Sequence, residues 1–253
     1  MSGISKIILI GSILLNLLLI LGFYYYFVQG GSPLSDLKRR LTGTYRQSPP
    51  SVSFEEDNRR IVAELANGKT DSQSVVFLGA SITQGWDLPR YFPEIHPINR
   101  GIGGFVDDLM VNYKSNVLDL KPRAVVIKFC SINIRPQIPV RHLKDAMQMM
   151  VELARAEGIT PVVATVIPVG KPAARIGDFS VADTLAAFNE WVRGYAGANG
   201  LALIDYARAI QDEGGLLPRD CSIDPVHINE KGYDIIAGAA RPVIYNLLGI
   251  KQK

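Results

Sequence analysis

The chain of 253 residues is 47% hydrophobic and 20% charged, which is enough apolar material for one packed domain and an additional segment. Its formal net charge is only +3, and its basic residues form no long run, so the sequence lacks the basic patch typical of nucleic-acid-binding proteins. Two cysteines, Cys130 and Cys221, are too few for a disulfide scaffold, and their spacing suits no zinc site. One disulfide between them and two inert thiols are both compatible with the sequence.

An uncharged apolar stretch, IILIGSILLNLLLILGFYYYFV, occupies residues 7–28 behind a short head, residues 1–6. At 1.5 Å per residue, a helix of this length crosses the ~30 Å core of a bilayer. Three consecutive tyrosines at its end are typical of the headgroup layer. No small-x-small cleavage site and no lipoprotein cysteine follow it, so we interpret the segment as an uncleaved transmembrane anchor rather than a cleaved signal peptide.

The charges that flank this segment leave its orientation open. Lys6 precedes it, whereas four basic residues follow soon after it, and the positive-inside rule would then keep the rest of the chain in the cytoplasm. The short head with one lysine is, by contrast, similar to that of an ordinary signal anchor with a cytoplasmic amino terminus. The working expectation is a single-pass protein of the cell membrane whose domain is extracytoplasmic, in the periplasm.

A linker and one α/β domain are expected after the apolar stretch. Residues 29–52 are rich in Gly, Ser, Pro and basic residues, which predicts a linker, and the domain is expected over residues 53–253. Ser53 and Glu56 form a capping-box pattern at the start of its first helix. Five strand-like segments then alternate with helical patterns: 74–79, 96–101, 124–129, 160–167 and 201–205. Nearly continuous apolar strands of this kind predict three α/β/α layers around a doubly wound, mainly parallel five-stranded sheet.

Two apolar stripes with helical spacing are predicted to pack in the core of this domain. They are Leu143, Met147 and Met150 in one helix, and Val181, Leu185, Phe188, Val192 and Tyr195 in another.

Lys128 is unusual inside a strand, and we interpret it as a snorkelling or paired lysine near the sheet rim. Residues 168–180 break the periodicity after the fourth strand and are predicted to form a loop over the site.

Ser81 lies two residues beyond the first predicted strand, where a parallel sheet binds its ligands. A helix cap is the alternative role for this serine. A serine nucleophile needs a base, and only one of the three histidines, His227, follows the last strand. In the segment DPVHINEKGY, Asp224 precedes it by three residues and can contact one imidazole nitrogen while the other faces outward. A turn with an exposed histidine is the alternative.

Acyl transfer also needs donors for the developing oxyanion. The glycines of NRGIGGF, after the second strand, allow a backbone N–H to face a ligand, and FCSINIR, after the third strand, offers the side-chain amide of Asn133. Both segments are also compatible with ordinary turns.

The order Ser, Gly, Asn and Asp-x-x-His resembles that of the SGNH (GDSL-type) hydrolase family of serine esterases and lipases over residues 74–248. The resemblance implies a flavodoxin-like α/β/α fold. GASITQGW is similar to the first family block and implies Ser81 as the nucleophile. INRGIGG implies Gly104 as an oxyanion-hole residue beside the Ser81 N–H. DPVHINEKGY implies that Asp224 orients His227, which acts as base and then acid.

Two positions depart from the family pattern. Ala80 replaces the aspartate of Gly-Asp-Ser, a residue that the mechanism does not require. In the third block, CSINI, an ungapped comparison places Ile132 on the family asparagine, whereas one extra loop residue gives Asn133 the oxyanion role, which we favour.

The expected function is therefore a membrane-anchored serine esterase that hydrolyses carboxylic esters, lipid or acylated saccharide, through an acyl-enzyme. No organic cofactor and no metal is implied, and no nucleic-acid partner is expected. Two alternatives are an O-acyltransferase acting on envelope polysaccharide and a catalytically lapsed, membrane-tethered binding module. The sequence does not predict the oligomeric state.

Overall fold

The computed structural model describes residues 53–69 and 71–251. The predicted head, transmembrane anchor and linker, residues 1–52, lie outside the described residues. Within the described ranges, none of the helices has both the length and the apolar character needed to cross a bilayer.

Five parallel strands form the central sheet, in the order β2–β1–β3–β4–β7. Their bounds are β1 (Ser74–Gly79), β2 (His96–Gly101), β3 (Ala124–Ile127), β4 (Thr160–Ala164) and β7 (Ala202–Ile204). All four pairings are parallel, so the predicted parallel five-stranded sheet is confirmed. Two short strands, β5 (Arg175–Ile176) and β6 (Phe179–Ser180), form a separate antiparallel hairpin.

Helices follow or connect the strands on both faces of the sheet. They are α1 (Glu55–Ala66), α2 (Ser81–Gln84), α3 (Leu88–Tyr91), α4 (Val106–Val111), α5 (Tyr113–Asn116), α6 (Val140–Ala156), α7 (Val181–Ala198), α8 (Tyr206–Ile210) and α9 (Glu230–Leu248). The predicted capping box at the start of α1 is not formed. The N-cap residue is Phe54, one position later than the pattern requires, and the hydroxyl of Ser53 accepts from the N–H of Glu55 at 3.4 Å rather than from that of Glu56.

The alternation of side chains along each strand creates two cores. On β1, Val76 and Leu78 face a cluster that contains the inner faces of α6 and α7, while Val75 and Phe77 face a cluster that contains the inner face of α9. The two predicted apolar stripes pack in the first cluster; Phe188 is among their fully buried members. The prediction of a three-layer α/β/α domain is thereby confirmed.

Close approach of α2 to the sheet depends on two glycines. A Cβ atom on Gly101, at the end of β2, would lie 2.1 Å from the backbone nitrogen of Gln84, and one on Gly79 would lie 2.2 Å from Oγ1 of Thr83. Because neither glycine carries a Cβ, the four-residue α2 packs directly against the ends of β1 and β2. This packing fixes the position of Ser81, the first residue of α2, at the carboxyl edge of the sheet.

Lys128 does not lie at the rim, contrary to the interpretation from the sequence. Lys128 is 3% exposed, and its Nζ donates a hydrogen bond to the carbonyl oxygen of Phe129 at 3.5 Å. No carboxylate lies within ion-pair distance of it in residues 53–69 and 71–251. Burial disfavours the charged form and lowers the pKa of Lys128 below its ordinary value.

Replacing Lys128 with methionine is expected to raise the free energy of unfolding by about 2 kcal/mol at neutral pH, because a poorly compensated ammonium leaves the core. The unfolded chain binds this proton up to pH 10.5, the ordinary lysine value, whereas the folded chain releases it earlier. The wild-type protein therefore regains stability as the pH rises toward that value, and the advantage of the variant should shrink. Urea unfolding at several pH values measures this difference. Lys69→Met, at an exposed position, is the control, and a destabilised Lys128→Met protein would contradict the expectation.

Candidate active site

Ser81, His227 and Asp224 form a continuous hydrogen-bonded chain at the carboxyl edge of the sheet. The Oγ atom of Ser81 lies 2.9 Å from Nε2 of His227, although the two residues are 146 positions apart in the sequence. On the other side of the imidazole, Nδ1 lies 2.7 Å from Oδ2 of Asp224. The spatial juxtaposition that the esterase hypothesis requires is therefore present.

Ser81 does not cap the helix that it begins. The N-cap residue of α2 is Ala80, and no side-chain oxygen caps this end of the helix. The hydroxyl of Ser81 contacts the imidazole instead. The capping role considered from the sequence is therefore wrong for this serine.

The loop that carries His227 is organised by the carboxylate of Asp224. Its Oδ1 accepts hydrogen bonds from the backbone N–H groups of Val226 and His227, both at 2.8 Å, which leaves Oδ2 for the imidazole. These contacts, the Val226 N–H foremost, lower the pKa of Asp224 below its ordinary value. An ionised carboxylate at Nδ1 fixes the proton on that nitrogen, so Nε2 is the acceptor that faces the Ser81 hydroxyl.

The imidazole and its carboxylate are open to solvent. The side chains of His227 and Asp224 are 38% and 43% exposed, respectively. Water can therefore reach the site directly.

The loop after β2 leaves one backbone N–H group available. The N–H of Gly103 donates to Oε1 of Gln84 at 2.9 Å, and the N–H of Phe105 donates to Oδ2 of Asp108 at 2.8 Å. Among the described residues, the N–H of Gly104, between them, has no hydrogen-bond partner. It is the glycine singled out from the sequence as an oxyanion donor.

Asn133 connects the loops after β2 and β3. Its Oδ1 accepts a hydrogen bond from the N–H of Val106 at 2.9 Å, and its Nδ2 donates to the carbonyl oxygen of Cys130 at 3.1 Å. The residue is 1% exposed. One amide hydrogen of Asn133 has no partner among the described residues. The buried amide thus both holds the loop and retains one unused donor.

Gln84 and Asp108 are two supporting residues that sequence reasoning missed. Asp108 lies at the third position of α4, and its carboxylate accepts from the N-cap residue Phe105, which is one half of a capping box. An acidic residue three positions after the N-cap is a signal that the sequence does contain. No local sequence pattern indicates the supporting role of Gln84, because its hydrogen-bond partner Gly103 lies 19 positions away.

The segment 168–180 packs beside the histidine loop. The N–H of Gly170 donates to the carbonyl oxygen of Pro225 at 2.7 Å, next to Val226 and His227 in the chain. The same segment carries the β5–β6 hairpin. It therefore forms one flank of the site.

Cys130 and Cys221 are both free and buried, so the disulfide considered from the sequence is not formed. In the part of the chain that the structure describes, no group of three or more His, Cys, Asp or Glu side chains is arranged to hold a metal ion.

A three-layer fold with this serine–histidine–aspartate arrangement at the edge of its sheet defines the class of SGNH-type serine hydrolases. Residues 77–235 match the GDSL-like Lipase/Acylhydrolase family. Since the match covers more than half of its length, the chain belongs to that family. None of the curated proteins matches the sequence.

Solved structures of bacterial proteins share the fold. A GDSL-like lipase of Bacteroides thetaiotaomicron is 24% identical, with 75% of this chain and 98% of the other covered and a TM-score of 0.64. A protein of Bacteroides fragilis predicted to be an acylhydrolase is 27% identical, with 77% and 95% covered and a TM-score of 0.66. An acetylxylan esterase of Geobacillus stearothermophilus is 18% identical, with 72% and 97% covered and a TM-score of 0.57. The likenesses to the lipase and to the acetylxylan esterase, at 24% and 18% identity, concern the fold alone.

Proposed function

We propose that this protein is a carboxylic ester hydrolase in which Ser81 is the nucleophile, His227 the general base and acid, and Asp224 the group that orients the imidazole. The observation that carries the proposal is the hydrogen-bonded chain from Ser81 Oγ through His227 to Asp224 Oδ2, with separations of 2.9 and 2.7 Å. The first separation allows the imidazole to activate the hydroxyl nucleophile, and the second allows the carboxylate to orient the imidazole.

In the first half of the reaction, Ser81 Oγ forms a bond with the ester carbonyl carbon while its proton moves to Nε2 of His227. The tetrahedral intermediate then collapses, and the departing alcohol takes that proton. In the second half, His227 removes a proton from water, the resulting hydroxide attacks the acyl-enzyme, and the carboxylic acid leaves as Ser81 regains its proton. Asp224 stabilises the imidazolium in both halves without itself becoming protonated.

The proposed oxyanion hole consists of the N–H groups of Ser81 and Gly104 and the side-chain amide of Asn133. The unpartnered N–H of Gly104 supports its role, since its two neighbours in the loop donate elsewhere. For Asn133, the amide hydrogen left over from the bond to Cys130 supports a donor role. A pre-arranged donor of this kind contributes about 10²- to 10³-fold in rate.

Replacing Gly104 with alanine is expected to lower kcat for para-nitrophenyl acetate by about 10²-fold, with little change in stability. The added Cβ would lie 2.3 Å from Oδ2 of Asp108, so either the carboxylate or the loop N–H must move. Steady-state kinetics measure the loss. Gly197→Ala, where a Cβ meets open space, is the control. If this contact causes the loss of activity, Gly104→Ala should lower kcat less in an Asp108→Ala background than in the wild type. Equal losses in both backgrounds would contradict this explanation.

A fluorophosphonate probe tests the proposal directly. It is expected to label the full-length protein at Ser81 and to leave Ser81→Ala unlabelled. A catalytically lapsed binding module would not be labelled in either form, and this outcome would overturn the proposal.

The proposed acyl acceptor is water, and the proposed substrates are lipid esters or acylated saccharides. Because the imidazole is open to solvent, bulk water can reach it and serve as the acyl acceptor, and product analysis with added saccharides separates a hydrolase from an O-acyltransferase. The likeness in fold to an acetylxylan esterase supports an acylated saccharide as one substrate class, beside lipid esters.

We further propose that residues 7–28 anchor the domain to the cell membrane, with the domain on the extracytoplasmic side. The uncharged apolar composition of the segment supports the anchor. A topology reporter fused after Lys253 tests the side of the membrane, and a cytoplasmic signal would reverse the proposed orientation.

A further inference from the structure

Arg135 is an exposed cation that the structure holds next to the proposed oxyanion loop. Its Nε donates to the carbonyl oxygen of Ile132 at 2.8 Å. Its guanidinium carbon lies 5.4 Å from the centroid of the Phe105 ring, and Phe105 directly follows Gly104 in the chain. Two contacts on different elements therefore fix the orientation of this side chain.

No carboxylate neutralises Arg135 among the described residues. Other arginines are paired: Arg90 lies 2.6 Å from Glu230, and Arg193 lies 2.7 Å from Asp205. The acidic residues closest in sequence to Phe105 are Asp107 and Asp108, at the start of α4.

Both carboxylates at the start of α4 are engaged elsewhere. Oδ1 of Asp107 lies 2.7 Å from Nε2 of His142, and Oδ2 of Asp108 accepts from the N–H of Phe105. Neither carboxylate therefore forms an ion pair with Arg135, and since only its Nε donates within the described residues, both of its terminal nitrogens are available as donors.

A guanidinium held in this way is suited to bind an anion. Its two terminal nitrogens can donate in parallel to a carboxylate or a phosphate, which is the geometry that makes arginine selective for such groups. Because the ring and the Ile132 carbonyl already restrict the side chain, little conformational entropy is lost on binding.

We propose that Arg135 is a specificity-determining residue that binds an anionic group, a carboxylate or a phosphate, of the ester substrate. This inference rests on the proposed esterase function. It makes esters that carry a negative charge, such as those of acidic saccharides or anionic lipids, the preferred substrate class.

Two matched pairs of esters test the proposal with the full-length protein. In the first pair, para-acetoxybenzoate carries a carboxylate on the alcohol side of the ester, and its methyl ester is the neutral partner. In the second pair, para-nitrophenyl hemisuccinate carries a carboxylate on the acyl side, and para-nitrophenyl butyrate is the neutral partner. Each variant is compared with the wild type on the same ester, so differences in intrinsic reactivity cancel. The pair that responds shows on which side of the ester the anion binds.

Arg135→Gln is expected to lower kcat/KM about tenfold for the anionic ester of one pair and to change the neutral ester less than about twofold. Arg135→Lys should restore part of the loss, because it keeps the charge without the fork of donors. Arg141→Gln is the control: it removes the same charge from an exposed arginine that is paired with Asp145.

Equal losses for the anionic and neutral esters would mean that Arg135 only supports the loop through Phe105, and would overturn the proposal. An unchanged preference in both pairs would overturn it as well. Failure of the esterase function is distinguishable, because the wild-type protein would then hydrolyse none of the four esters.

Discussion

Replacing Ser81 with alanine is expected to lower kcat/KM for para-nitrophenyl acetate by about 10⁴-fold or more. The hydroxyl is the only group in the arrangement that can form the acyl-enzyme, and its partner His227 Nε2, at 2.9 Å, would be left without a proton to remove. The fold should be unaffected, since this side chain does not cap α2. Initial rates and thermal unfolding of the purified full-length variant measure both quantities.

Ser222→Ala is the matched control for this experiment. Ser222 lies in the loop that also carries His227, but its hydroxyl donates to the carbonyl oxygen of Arg219 and makes no contact with the imidazole. The kcat/KM of Ser222→Ala for para-nitrophenyl acetate should stay within about threefold of the wild-type value. A Ser81→Ala protein as active as its parent would show that another group is the nucleophile.

Replacing Asp224 with asparagine is expected to lower kcat/KM by about 10³-fold. Asparagine keeps an oxygen for the N–H groups of Val226 and His227, so the loop should retain its shape. Its amide nitrogen would then face Nδ1 of His227 in place of the carboxylate oxygen at 2.7 Å. A donor at that position favours the tautomer with the proton on Nε2, and that imidazole cannot accept the proton of Ser81.

Asp220→Asn serves as the control, because Asp220 lies in the same loop and is paired with Lys231 rather than with the imidazole. A loss smaller than about tenfold in Asp224→Asn would mean that the carboxylate does not orient the imidazole. The backbone N–H of Val226 is the main cause of the lowered pKa of Asp224. The carboxylate therefore stays ionised throughout the neutral and mildly acidic range, and its titration should add no step to the pH–rate profile above about pH 4.

The sheet was predictable because each strand is an uninterrupted apolar segment, and such segments are buried from both sides in a parallel sheet. The carboxyl ends of β3 and β4 were not predictable from the sequence. The strands end at Ile127 and Ala164, although the residues predicted to continue them, 128–129 and 165–167, are also buried. The burial of Lys128 is the clearest example of a feature that the sequence does not predict. A lysine in a strand suggests the rim, yet its side chain lies in the interior, and nothing local in the sequence distinguishes these positions.

The sequence by itself determined the alternation of strands and helices, the place of Ser81 after β1 and the Asp224–His227 pair, because each depends on residues only a few positions apart. The tertiary structure alone decided which backbone N–H after β2 is left without a partner, how the amide of Asn133 is used, and where Arg135 is held. Those outcomes depend on contacts between residues that are far apart along the chain. Val106 and Asn133, for example, form a hydrogen bond although they are 27 positions apart, and Arg135 lies over the ring of Phe105. Partners at such distances are selected by packing, and no local pattern records that selection.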